Sequence, residues 1–176
     1  LDGLRHEDLE LLQKTKKMAK NTRQQNEAFK YSFYSDIQRI KELDGEGSRA
    51  YLLVYDLEQD IIQSIDFIVK ICHKHVKNSH QPLSDKQQQA LKEVESRLLT
   101  FFDNITASLE NKEFDRQAEL LAEKQALHTR LEELLNEQVR DVKQRKDSAR
   151  NSLLYFSLLL ETKDLVAVAA RFGKLY

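Results

Sequence analysis

Asp56 and Asp60 stand four residues apart in "YLLVYDLEQDIIQSIDFI" (51–68), and Glu161 and Asp164 stand three apart in "YFSLLLETKDLVAVAARF" (155–172). On a helix both spacings make neighbours of the two carboxylates, which repel unless a cation, a lysine or a proton sits between them. Two carboxylates one turn apart supply half of the oxygen set that a hard metal ion requires. The same spacing also suits acids that face solvent or form salt bridges, and for Glu161 and Asp164 the candidate partners are Lys163, Arg150 and Arg171. A partner is expected there, because acids beside an apolar segment are costly to bury alone. Leu153, Leu154, Phe156, Leu158, Leu159 and Leu160 wrap nearly all round the helix just before them. A helix apolar on every side is either central to its domain or covered by another molecule.

Other chemistry finds no carrier in the chain. A di-iron bundle needs Glu-x-x-His on two helices, and the residues three before His6, His73, His75, His80 and His128 are Gly3, Lys70, Cys72, Lys77 and Gln125. "CHKHVKNSH" gathers Cys72, His73, His75 and His80, but positions 73 and 75 are about 200° apart on a helix and cannot chelate together without unwinding it. Cys72 falls on an apolar stripe and is read as a small core residue, which fits a reducing compartment. No Gly-rich phosphate loop, nucleophile elbow or Ser/His/Asp pattern is present. Without a base or nucleophile to name, the chain is expected not to be an enzyme.

Charge narrows the partners further. With 28 basic and 29 acidic residues, net −1, the chain lacks the broad electropositive footprint of a nucleic-acid binder, and no nucleic acid is expected. Basic clusters do occur at Lys14, Lys16, Lys17, Lys20 and Arg23, and at Lys143, Arg145, Lys146 and Arg150. They are read as solvated helix faces. Beside a membrane, the first cluster could instead lie against anionic headgroups, each basic group adding about 1 kcal/mol. No segment reaches the roughly 18 consecutive apolar residues needed to span a bilayer, and no signal peptide is visible. The chain itself is expected to be soluble. It begins at Leu1 without a start methionine, so it is read as a piece of a longer protein.

The elements that must position the acids are helical. One Pro, four Gly and 32% charged residues in 176 point to an all-α domain with short connections. Apolar spacing of three and four predicts a helix over 7–42. "DGEGS" at 44–48 should end it, with Ser48 as N-cap of a second helix over 48–77. That second helix should bury one stripe: Val54, Leu57, Ile61, Ile65, Ile68 and Cys72. Asp56, Asp60, Gln63 and Phe67 then lie on a shared face opposite it. Ser84 or Asp85 can cap a third helix over 84–109. A fourth follows over 113–146, and Asp147 or Ser148 can cap a fifth over 148–174, although without Gly or Pro between them these two could be continuous. Five long helices on short loops should run antiparallel to their sequence neighbours, as an up-and-down bundle.

An internal repeat adds organisation. An offset of 104 residues lays Tyr51 on Tyr155, Val54 on Leu158, Asp60 on Asp164, Ile61 on Leu165, Ile62 on Val166 and Ile68 on Phe172. Each copy follows a long charged helix and a candidate break.

With these residues in view, "YLLVYDLEQDIIQSIDFIVKICHKHVKNSH" and "RNSLLYFSLLLETKDLVAVAARF" resemble the C-terminal PhoU-like domain of bacterial sodium/phosphate cotransporter family proteins, across nearly the whole chain. The resemblance implies up-and-down helices in two related three-helix units. It implies a regulatory part in phosphate uptake at the cytoplasmic side of the inner membrane, with the membrane transporter domain of the same chain and a second copy of the domain as partners. Such domains carry one acidic motif per repeat, a Glu or Asp followed four residues later by Asp, able to hold a divalent or ferric ion. The first motif maps onto Asp56 and Asp60, with Glu58 nearby. The second maps onto Asp164, with Leu160 four before it and Glu161 three before it. The usual Gly-Asp ending is missing, and five helices are counted where the family pattern has six.

Overall fold

The structure is a computed structural model that describes residues 1–39, 45–111, 116–144 and 146–172. Its helices are α1 (Asp2–Arg5), α2 (Leu9–Arg39), α3 (Gly45–Lys77), α4 (Asp85–Asn111), α5 (Gln117–Lys143) and α6 (Ala149–Phe172), and among the described residues there is no strand. Among the described residues six helices therefore pack together where five were expected, because a one-turn helix precedes the long ones. Residues 7 and 8 do not begin α2. Glu7 sits in the left-handed region at φ 51°, and Asp8 caps α2 by accepting the backbone N–H of Leu11 on Oδ1 at 2.8 Å.

The same capping chemistry sets two further starts. Ser84 and Gln87 form a reciprocal capping box, the Ser84 N–H donating to Gln87 Oε1 at 3.1 Å and the Gln87 N–H to Ser84 Oγ at 3.5 Å. Ser148 Oγ accepts the Asn151 N–H at 3.1 Å, which starts α6 and separates it from α5. Ser48 does not cap α3. That helix begins at Gly45, so Ser48 lies inside its first turn. The expected end of α2 at 42 and the start of α5 at 113 fall outside the described residues.

Side-chain pairs fix the directions. Arg23 beside Asp66, with Leu12 in the same core cluster as Cys72, makes α2 and α3 antiparallel. Lys86 meets Asp141, and Asn104 meets Glu123, which opposes α4 and α5. Gln138 meets Ser152, and Glu132 meets Lys163, which opposes α5 and α6. Laterally the order is α2, α3, α6, α5, α4, so α3 packs on α6, a helix far along the chain.

The main core joins Cys72, Leu91, Val94, Leu131, Leu134, Leu158 and Leu159. A second core joins Phe101, Ile105, Leu127 and Val166 between α4, α5 and α6. Each fully buried leucine stabilises the fold by about 1.5–3 kcal/mol relative to exposure. Cys72 is a core residue, as expected, at 2% exposure.

The single stripe expected for α3 is wrong in detail. Leu57 and Cys72 are buried, but Ile65 is 41% exposed, while Ile62, Asp66, Val69 and His73 are buried. The cause is position: α3 lies between α2 and α6, so it buries two flanks instead of one face. Helix α6 is central in a similar way, burying Leu154, Tyr155, Leu158 and Leu159, although Leu153 and Leu160 remain exposed.

Candidate functional site

A groove of about 600 Å³ opens over α2, α3 and α6. From α3 come Asp60, Gln63, Ser64, Asp66, Phe67 and Lys70, from α6 come Glu161, Asp164 and Val168, and Arg23 reaches in from α2. The shared face of Asp60, Gln63 and Phe67 read from helical rotation contributes one wall. Because α3 and α6 run antiparallel, Asp60 and Asp164 border the same space although they are far apart in sequence.

Three of the four candidate residues thus come together. Asp60 and Glu161 are half-buried and Asp164 is exposed. Asp56 is exposed and does not line the groove, since it sits one turn before Asp60. The partners expected for Glu161 and Asp164 point elsewhere. Lys163 donates to Glu132 of α5, and Arg150 lies 3.2 Å from His80 Nδ1. Both choices follow from geometry, because residue 163 turns toward α5, and residue 150 lies in the first turn of α6, about three turns before Glu161. Among the described residues, no ion pair reaches Asp60, Glu161 or Asp164.

Asp66 is the groove residue that sequence reasoning missed. It is only 8% exposed, and it pairs with Lys70 at 2.5 Å and with Arg23 at 3.5 Å. Its signal was the four-residue spacing to Lys70 inside an apolar run, which suits a helical ion pair. Asp66 pairs with both nearby cations, and the lining sets four carboxylates against those two cations, so the groove is negative. Such a space attracts cations.

Whether it can hold a metal depends on convergence. Among the described residues no three His, Cys, Asp or Glu side chains are grouped to hold an ion. Asp60, Glu161 and Asp164 supply the hard oxygen donors that a divalent or ferric ion prefers, but they border the groove without closing on one point. The histidine-rich stretch also diverges, as rotation required. His75 Nε2 lies 3.0 Å from the Gln81 carbonyl oxygen, whereas His73 lines a different groove on the α2 side.

No family model, curated protein or solved structure matches the chain. Among the described residues no helix is long and apolar enough to cross a membrane.

Proposed function

We propose that this chain is a regulatory, PhoU-like helical domain that modulates a sodium-dependent phosphate transporter on the cytoplasmic side of the inner membrane. It works by helix-to-helix docking and performs no catalysis. The observation that carries this reading is the placement of Asp60 and Asp164, equivalent under the 104-residue offset, in one groove between antiparallel α3 and α6. Two long helical hairpins, α2/α3 and α5/α6, meeting through their second helices are what a duplicated unit would produce. Exposed Leu153 and Leu160 on α6 offer apolar surface for the transporter domain of the same chain, or for a second copy. A cation drawn to the acidic groove would change the charge presented beside that surface.

The test is sodium-driven phosphate uptake by cells carrying the full-length protein with Asp60→Asn and Asp164→Asn together. Altered uptake at unchanged protein level is expected, and wild-type uptake would sink the reading. The metal component is tested separately by titrating Mg²⁺, Mn²⁺ or Fe³⁺ and following the melting temperature, because a ligand bound only by the folded state must raise it. No shift with any of the three removes that component.

A second reading is favoured by the lack of convergence among the acids: a structural bundle serving as adaptor or dimerisation element, whose acids only solubilise the helices. Under it, Asp56→Asn with Asp60→Asn leaves partner binding and stability unchanged.

A further inference from the structure

On the other side of the Arg23, Asp66 and Lys70 cluster lies a second groove, of about 370 Å³, between α2 and α3. Its lining is Gln13, Lys16, Lys17, Lys20 and Arg23 from α2 with Asp66, Lys70 and His73 from α3. Five cations face a single carboxylate, and Arg23 and Lys70 already occupy that carboxylate. Lys16, Lys17 and Lys20 form no ion pair among the described residues. In a chain of net charge −1, this is a local excess of positive charge concentrated by shape.

Two further observations point to an absent acceptor. His73 is a largely buried residue that lines this groove, and its ring makes no hydrogen bond among the described residues, so its polar edge is available to a ligand. The Arg23 Nε–H is buried without a hydrogen-bond acceptor, the Glu27 carboxylate standing 3.6 Å away. Buried polar groups are normally satisfied, so the open Arg23 Nε–H beside an accessible imidazole edge suits an oxygen-rich ligand.

The lining also indicates what kind of anion fits. Gln13, Lys16, Lys17, Lys20 and Arg23 repeat at the helical period, so they form one stripe about 15 Å long at 1.5 Å per residue. That is longer than one phosphate or carboxylate. Four of the five cations are lysines, which act as point charges toward phosphoryl oxygens and lack the planar fork that matches a carboxylate.

We propose that the α2/α3 groove binds phosphoryl groups presented in a row, with Lys16, Lys17, Lys20 and Lys70 neutralising their charge and His73 and Arg23 donating to their oxygens. Two sources share this chemistry: a soluble condensed phosphate, and anionic lipid headgroups side by side in a bilayer. The site adjoins the acidic groove, sharing Arg23, Asp66 and Lys70 with it, but does not depend on the function proposed for it.

Binding has a signature beyond affinity. Burial, then Lys16 and Lys77, hold the His73 imidazole below its ordinary value. The groups around it are Lys16, Lys17, Lys20 and Arg23 from α2 and Asp66, Lys70 and Lys77 from α3. A bound polyanion offsets their positive charge and favours the imidazolium, so the His73 titration should move upward when ligand is present.

The experiment uses the purified chain with inorganic tripolyphosphate in solution and, in parallel, with phosphatidylglycerol vesicles. Both are repeated on a Lys16→Gln/Lys20→Gln variant and on a charge-matched Lys92→Gln/Lys143→Gln control, with circular dichroism confirming that each variant is folded. The expected result is binding to at least one probe, weakened at least about tenfold in the first variant and little changed in the control. Binding should also be accompanied by an upward NMR titration shift of His73. Tripolyphosphate alone identifies the soluble source, vesicles alone identify headgroups, and both together identify the shared phosphoryl chemistry. Binding to neither probe overturns the proposal, as does equal loss in the two variants, undiminished binding by the first, or an unmoved His73.

Discussion

The side-chain amide of Gln87 on α4 donates to Gln138 Oε1 on α5 at 3.0 Å, and both amides also donate to the same Asp147 carboxylate oxygen, each at 3.1 Å. Gln138 further donates to Ser152 Oγ at 3.2 Å. One buried network thus joins α4, α5, the turn before α6, and α6 itself. Low dielectric strengthens such a network while it is complete and penalises any member left alone.

Replacing Gln138 by Leu keeps the size but strands Gln87, Asp147 and Ser152. The expected loss is about 1–3 kcal/mol of unfolding free energy. Urea denaturation checks this, and an unchanged midpoint would show that the network contributes nothing.

Acid should weaken the fold at identifiable carboxylates. The Arg130 guanidinium, hydrogen-bonded to Glu93, holds that carboxyl below its ordinary value, and Lys163 and Lys86 do the same for Glu132 and Asp141. A depressed folded value means stability that is present above the unfolded pKa, about 4 for these groups, and lost as pH falls through the folded values. These pairs lie at the surface and are only partly buried, so solvent screening keeps each contribution small. The sharper readout is carboxyl NMR: Arg130→Gln should move the Glu93 titration upward toward its ordinary value, and an unmoved titration refutes the assignment.

Gly3 packs where a side chain does not fit. A Cβ there would lie 2.7 Å from Leu12 Cγ, and Leu12 is itself in the core. Alanine has the better helix propensity by at most about 1 kcal/mol, but overpacking against a fixed core costs about 1–3 kcal/mol. Gly3→Ala should therefore lower the melting temperature, and a rise would mean that α1 simply shifts outward.

Cys72 should be inert in the native protein. Burial pushes its thiol up to about 12, and nucleophilic attack needs the thiolate. At pH 8 it should react with a disulfide reagent only as fast as the fold opens. Immediate reaction would show that the site is accessible.

The all-helical character, the antiparallel runs and, to within one residue, the caps at Ser84 and Ser148 were legible because periodicity and capping are local signals. What was lost is whatever depends on which helices become neighbours. The exposure of Ile65 and the burial of Asp66 follow from α3 sitting between α2 and α6, a lateral order that no sequence window contains. The one-turn α1 is too short for any periodicity. At the candidate site, Asp60, Glu161 and Asp164 were chosen by spacing, and they meet because the helices carrying them run side by side. Lys163, one of three candidate partners for Glu161 and Asp164, pairs instead with Glu132, which is near it only in three dimensions.

Helix α6 packs against its neighbour α5 and also against α3 and α4, so closing the centre of the domain requires pairings between segments many tens of residues apart. Contact order of that kind slows the approach to the native state. During synthesis, α3 leaves the ribosome long before the helix that covers its flank. Until α6 emerges, the flank of α3 that packs against it is open to other chains, and the nascent domain is most exposed to aggregation in that interval.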